Sequence, residues 1–493
     1  MTSPDATIAP TSAPPQVVDG RRIAIALAAI LTCQLMLVLD SAVVTVALPD
    51  IQTGLGLSTT TLSWVQNGYM LAFGGLLMLG GRAGDVFGRR RMFLIGLTVF
   101  TISSLIGGFA NSAELLLFAR VAQGVGAAAA APSTLALIVS TFSDAERRTR
   151  AIALYSTVTG AGAALGLVLG GVLTDGASWR WVFFVNVPFG IAVLALAPLV
   201  IQEPARLPGR LDVPGGLTAT LGACSAVFGF IRAASDGWSD PAAVIALVAA
   251  VVLLAGFVGA ERRSREPLVP LGLLANRTRG SAYLVLLLVA AAMFGMFFFL
   301  TLYFQSALGY SPLRTGFAFL PFAVVTFVGA TFVPRIVAKV GAPAVLSVGI
   351  LLVAGGLLWL TQVSTEANYF TDALGPMCVF GLGGGFALVV LSLAILGGVP
   401  ERDSGAASGL LQAMQQIGGS LGTAVLITFF NGAVERRGGE AGPGSTGHAP
   451  LVHGVAVTMG VAAVFVLVAL VIALAGIRLP KAAPSAEPAA DPA

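Results

Sequence analysis

The sequence predicts an all-α polytopic membrane protein with fourteen transmembrane spans. Three observations carry that reading. Of 493 residues, 56% are hydrophobic and only 10% are charged, where a soluble chain carries about a quarter charged residues. The charges gather in short clusters between apolar runs of roughly 20 residues, the length that crosses a hydrocarbon core about 30 Å thick. Sixty-one glycines suit membrane helices, where small residues let backbones approach closely.

Residues 1–20 are rich in Pro, Ser and Thr and read as a disordered cytoplasmic tail. They do not read as a secretory signal, because no basic start leads straight into a short apolar core. An N-terminal half, 21–202, holds spans near 22–47, 62–82, 92–110, 114–140, 150–172 and 181–201. A central segment, 203–265, adds spans near 213–233 and 241–260. A C-terminal half, 266–478, holds spans near 281–304, 315–334, 344–361, 374–398, 405–430 and 454–477. Residues 479–493, rich in Ala and Pro, read as a second cytoplasmic tail.

The basic residues set the orientation. With the N-terminus inside, 21 of the 27 Lys and Arg residues fall in inner loops. Five fall outside: Arg180, Arg232, Arg314, Arg436 and Arg437. This obeys the positive-inside rule and places both termini in the cytoplasm. The excess of arginine therefore has a topological role and does not imply nucleic acid. Trp64, Trp179, Trp181, Trp238 and Trp359 all land near outer span ends, as interfacial anchors do. A shift of 253 residues superposes Arg82 on Arg335, Gly88 on Gly341 and Gly96 on Gly349. Both loops then join the second and third spans of a six-span unit, the internal symmetry of a transporter built from repeats.

Cys33, Cys224 and Cys378 lie within apolar spans, and His448 and His453 share a Gly/Pro-rich segment that reads as a solvated loop. This pattern offers neither a disulfide framework nor a Cys/His metal site. No phosphate-binding loop and no nucleophile–base pair is legible, so neither ATP hydrolysis nor enzymatic catalysis is expected, and no cofactor. The energy source is then an ion gradient. A proton gradient is the economical choice, because no dense oxygen-ligand cluster for sodium is visible.

Two charges lie deep inside spans, Asp40 in the first and Arg120 in the fourth. Intramembrane charges cost a few kcal/mol on insertion scales, so they need a reason. Each lies about eight residues from the outer end of its span, which puts both roughly 12 Å deep. They can share one cavity. A carboxyl in an apolar site holds its proton, and a nearby guanidinium drives the proton off. Motion of Arg120 relative to Asp40 would then take up and release a coupling proton. A fixed pair that only ties two helices, or an Arg120 that snorkels to the interface, fits the sequence as well. Gln123, one turn from Arg120, either bonds cargo or makes a helix contact.

The stretch "GGRAGDVFGRRR", residues 80–91, resembles the loop signature of the major facilitator superfamily through Gly81, Ala83, Gly84, Asp85, Val86, Gly88, Arg89 and Arg90. Ala83 and Val86 depart from that signature. Fourteen spans point to the drug:proton antiporter branch. "LDSAVVTVALP" (39–49), "RVAQGVGAA" (120–128), "GAALGLVLGG" (162–171) and "WRWVFFVNVPFG" (179–190) also resemble signatures of that branch. Leu167 stands where its fifth-span motif has Pro. The resemblance implies a major facilitator fold of two six-helix halves plus two extra central helices. It implies proton-coupled efflux of amphipathic or cationic drugs, dyes or antibiotics by a monomer in the cytoplasmic membrane. A dedicated exporter of one metabolite would look the same.

The resemblance further implies that the loop residues Gly81, Asp85, Gly88, Arg89 and Arg90 latch the two halves in one access state. The start of span thirteen, "PERDSG" with Asp403 or Ser404 as its cap, offers a partner. It associates Gly162, Gly166, Gly170 and Gly171 of span five with antiport and cavity sealing, through a close helix crossing. Met293 and Phe297, with Met296, Phe294, Phe298 and Phe299, give span nine bulky, adaptable side chains. They suit a cavity for apolar cargo and suit lipid contact equally.

Overall fold

The computed structural model describes residues 20–142, 145–203, 212–264, 267, 271–364, 369–397, 399, 401–437 and 448–478. The described residues are helical and form no strand. The N-terminal helices are α1 (Gly20–Leu55), α2 (Thr59–Phe87), α3 (Arg89–Gly108), α4 (Ala113–Thr141), α5 (Ala145–Gly176), a short α6 (Trp181–Phe184) and α7 (Asn186–Val200). The central pair is α8 (Val213–Asp236) and α9 (Pro241–Arg263). Then follow α10 (Leu271–Ala275), α11 (Arg277–Leu302), α12 (Pro312–Val340), α13 (Ala342–Leu360), α14 (Gly375–Leu396), α15 (Glu401–Arg436) and α16 (His448–Gly476). Thirteen helices among the described residues are long and apolar enough to cross a membrane. The 32-residue α5, fifth in the order, brings the number to fourteen, with an apolar section over Leu165–Gly176.

Helix starts follow local capping. Ser58, Ser112, Asp212, Asp240, Asn276 and Ser311 each accept a backbone N–H from the first turn of the helix they precede. Pro at the opening positions of α8, α9 and α12 needs no such acceptor. Within the spans Thr45, Thr98, Thr101 and Ser104 return their hydroxyls to carbonyls one turn back, so these polar groups stay satisfied in oil.

The repeat is visible in the packing. In the N-terminal half α4 packs on α2 and α3, and α1 on α5; in the C-terminal half α14 packs on α12 and α13, and α11 on α15. Gly88 (φ +111°) turns the corner from α2 into α3, and Gly341 (φ +87°) does so from α12 into α13, a conformation that favours glycine. A Cβ on Gly96 would lie 2.6 Å from the Gly126 carbonyl of α4, and one on Gly349 would lie 3.0 Å from the Gly383 carbonyl of α14. The glycines matched by the 253-residue shift thus do the same work twice.

The halves meet along two seams, α2 against α15 and α5 against α12. One apolar core runs from the C-terminal half into Val43–Ile51, Leu62 and Val65, at the end of the N-terminal half remote from the arginine-rich corners. The arginine-rich end of the N-terminal half has a core of its own, with Phe93, Phe100 and Leu137. The Gln305 amide also donates to the Val46 carbonyl across the remote end, at 2.8 Å. The two halves are therefore joined most firmly at that end. The central pair packs on α2 and α15 through α8. Its partner α9 shows an exposed apolar row at Ile245, Val248, Val251 and Val252, the surface that lipid covers.

Four expectations need correction. The first span does not stop near 47: α1 continues through Pro49 to Leu55, with Ile51 and Gln52 buried. The charged stretch 83–91 is not an open loop, because α2 and α3 are continuous up to Gly88 on either side. His453 lies inside α16 and not in a loop. Trp179 is buried against α1, where a Cβ on Gly54 would lie 2.7 Å from its indole Nε1. These outcomes depend on helix continuity and on packing between distant elements, which local composition does not report.

Candidate functional site

The structure brings Asp40 and Arg120 together. Both are buried, at 1% exposure each. Arg120 Nη1 donates to Asp40 Oδ2 at 2.6 Å and to Gln123 Oε1 at 2.9 Å, while its Nε donates to the Val65 carbonyl at 2.8 Å. The Tyr69 ring lies 4.4 Å below the guanidinium, a favourable place for a desolvated cation. Asp40 Oδ1 accepts from Gln123 Nε2 at 3.0 Å and from Asn186 Nδ2 at 3.1 Å. Gln123 Nε2 also donates to Ser104 Oγ at 2.8 Å. The carboxylate of α1 is thus held by α4 and α7, and the guanidinium of α4 by α1 and α2. Burial without partners would be prohibitive; here both charges are paired and hydrogen-bonded. Arg120 does not snorkel. Both hydrogens and the oxygen of the Gln123 amide are used inside this network.

Asn186 and Tyr69 were not anticipated. Asn186 is a neutral amide at the start of α7, and the sequence signal for it is a single Asn in an apolar run. Tyr69 looks like any aromatic residue in a span, and only the packing of α2 against α4 puts its ring under Arg120.

At the arginine-rich corner Asp85 pairs with Arg89, one turn on, at 2.9 Å. Among the described contacts, none joins Asp85 to the C-terminal half. The side chains of Asp403 and Ser404 lie outside the described residues, so the partner expected there is not placed. The start of α3 is held instead by Glu203, which follows α7. Its carboxylate accepts the Arg90 N–H at 3.1 Å and the Arg91 N–H at 3.2 Å. Arg90 Nη2 in turn donates to the Pro198 carbonyl at 2.6 Å. A carboxylate at a helix N-terminus is favoured by the unpaired N–H groups and the helix dipole. A Cβ on Gly88 would lie 2.8 Å from that carboxylate, so Gly88 serves both its backbone angle and its neighbour. Gly81 faces Pro132 and Gly84 faces Ser133, both on α4. Replacing Glu203 with Ala leaves two N–H groups uncapped and should cost about 0.5–2 kcal/mol. Thermal unfolding of the purified variant should show a lower midpoint; an unchanged midpoint would remove Glu203 from the corner.

The glycines of α5 are contact points. A Cβ on Gly162 would meet Leu35 and Val38, one on Gly166 Ala42, and one on Gly170 the Val43 carbonyl, all on α1. Gly171 faces α12 instead, 2.6 Å from the Leu313 Cα by the same construction. On α11, Met296, Phe298 and Phe299 belong to the core. Met293 and Phe297 are partly buried against it, and the Phe297 ring sits between those of Phe319 and Phe322 of α12, at 5.1 and 5.0 Å.

The family model described as Major Facilitator Superfamily matches residues 30–423. A puromycin resistance protein of Streptomyces alboniger is 43% identical over 413 residues, covering 83% of this chain and 82% of that one. A cephamycin export protein of Amycolatopsis lactamdurans is 40% identical over 402 residues, 80% and 83% of the two chains. A bacterial homolog to the human lysosomal transporter Spinster has the same fold at a TM-score of 0.65 and 18% identity, covering 93% of this chain and 97% of that one.

Proposed function

The chain belongs to the Major Facilitator Superfamily, and from that premise we propose that it exports amphipathic organic molecules, antibiotics among them, in exchange for protons by alternating access. Relatives named for puromycin resistance and cephamycin export support the direction and the cargo class. The observation that carries the coupling is the sealed Asp40–Arg120 pair. A proton on Asp40 cancels the attraction to Arg120 and weakens the hold of α4 and α7 on α1. The pair lies where the N-terminal half meets the core shared with the C-terminal half, so its release bears on the joined end. The arginine-rich end faces the cytoplasm in this reading, and cargo enters there.

Cargo charge follows from the same pair. Asp40 is already matched by Arg120, so a cationic cargo gains little from it while the pair is closed. Neutral or singly charged molecules fit better than dications. Export of one dedicated metabolite uses the same machinery and differs only in the range of cargo.

The test is puromycin uptake into energised inverted membrane vesicles. Uptake should collapse when an ionophore dissipates the pH gradient. Uptake that persists without the gradient would overturn proton coupling.

A further inference from the structure

The two faces of the α2–α15 seam differ. Toward α8 the seam is apolar: Leu71 of α2 and Ala424 of α15 join Ala223, Val227 and Ile231 of α8 in one cluster. A Cβ on Gly75 would lie 2.7 Å from Thr220 Oγ1 of α8, and Thr428 of α15 donates to the Phe230 carbonyl at 3.3 Å. The extra helix α8 thus walls the seam from lipid.

The seam also carries buried polar groups without partners among the described residues. Asn67 is fully buried, and neither atom of its amide has a hydrogen-bond partner among the described residues. Gln66 Oε1, Gln416 Oε1 and Ser420 Oγ are also without one. Gln66 is 5% exposed and Ser420 0%. The register sets these groups along the seam. Met78 lies against Gly409, Gly74 against Gln416 and Met70 against Gly419, so the helices run antiparallel. Asn67 and Gln66 come three and four residues before Met70 and share its face. Ser420 is one turn past Gln416. By this register Asn67, Gln66 and Ser420 fall within about one turn of one another between the halves, and Gln416, opposite Gly74, lies about two turns away along the same seam. Gln66 and Asn67 lie at the depth of Arg120, which bonds the carbonyl of Val65.

Buried polar groups are nearly always bonded. Leaving them bare costs their full desolvation, and apolar groups of the same shape would pack at no such cost. Here they line a seam that must part and close as the halves rock. We infer that this seam is a recognition site for neutral hydrogen-bonding groups of the cargo, amides and hydroxyls, distinct from the Asp40–Arg120 pair. The inference rests on the export reading above. The side chains present both donors and acceptors and no charge, which matches a polar neutral moiety and offers nothing to a bare cation.

The test is a binding titration of the purified full-length protein in detergent. One probe is puromycin, which carries amide and hydroxyl groups. The other is tetraphenylphosphonium, a cation without hydrogen-bonding groups. In Asn67→Leu and in Ser420→Ala, puromycin affinity should fall about tenfold relative to tetraphenylphosphonium, the worth of a lost hydrogen bond. Ser420→Ala keeps the test intact if Asn67→Leu fails to fold. An unchanged ratio in both variants would mean that the seam bonds water only and would overturn the site. Equal loss of both probes would make it a structural seam, and a wild type that binds no puromycin would also overturn it. Binding with the expected ratio but without gradient-driven transport would overturn the export reading and leave the site standing.

Discussion

Asp40→Asn should abolish proton-driven transport, by at least a hundredfold in the initial rate, and should also destabilise the protein. The geometry sets both effects. Oδ2 of Asp40 accepts a hydrogen bond from Arg120, and Oδ1 accepts from Gln123 and Asn186. An Asn amide cannot accept at both atoms, so one side faces donor against donor. The Gln123 oxygen is already used by Arg120, which leaves that amide no free turn. Arg120 also keeps its charge, and removing one partner of a buried pair costs about 3–5 kcal/mol. The double variant Asp40→Asn with Arg120→Gln removes the stranded charge and should recover much of the lost stability, read by thermal unfolding. It should not recover transport driven by a pH gradient. Recovery of both would make the pair a structural tie and exclude Asp40 as the coupling group.

Gly171→Val and Gly316→Val should shift the molecule away from closure at the joined end. A Cβ on Gly171 would lie 2.7 Å from the Pro312 carbonyl oxygen, and one on Gly316 would collide with the Leu167 carbonyl. Both obstacles are backbone, which cannot swing aside as a side chain does. Overpacking of this kind costs about 1–3 kcal/mol, and every 1.4 kcal/mol shifts an equilibrium about tenfold. Spin labels at the remote ends of α5 and α12, in a background without Cys33, Cys224 and Cys378, would read the separation. A longer distance in the Val variants is expected. An unchanged distance with lower stability would show that this seam does not part.

Much of the fold was legible because the bilayer is a harsh solvent. It demands apolar runs of fixed length and penalises charge, so span number, loop sign and the two buried charges are visible in a single chain. Their common depth allowed Asp40 and Arg120 one cavity, and the structure shows the pair. Asn186 and Glu203 were not legible in that way. A neutral amide at a span end and an acid after a span carry no unusual cost by themselves. They acquire a role only when α7 is placed beside α1 and α3. For Asp85 the latch role comes from the resemblance; its described partner is Arg89, one turn along, and the side chains of Asp403 and Ser404 lie outside the described residues.

By itself the sequence determined the all-α membrane class, the order of spans, the repeat and the two charges that had to be explained. Each follows from local composition set against the cost of burying polar groups in hydrocarbon. Tertiary structure alone decided which end of the two halves is joined, which carboxylate caps α3, and that buried amides and a hydroxyl without described partners line the seam between α2 and α15. Those facts depend on helix register and on contacts between residues hundreds of positions apart, and packing fixes them through backbone approach at glycines that composition counts but does not place.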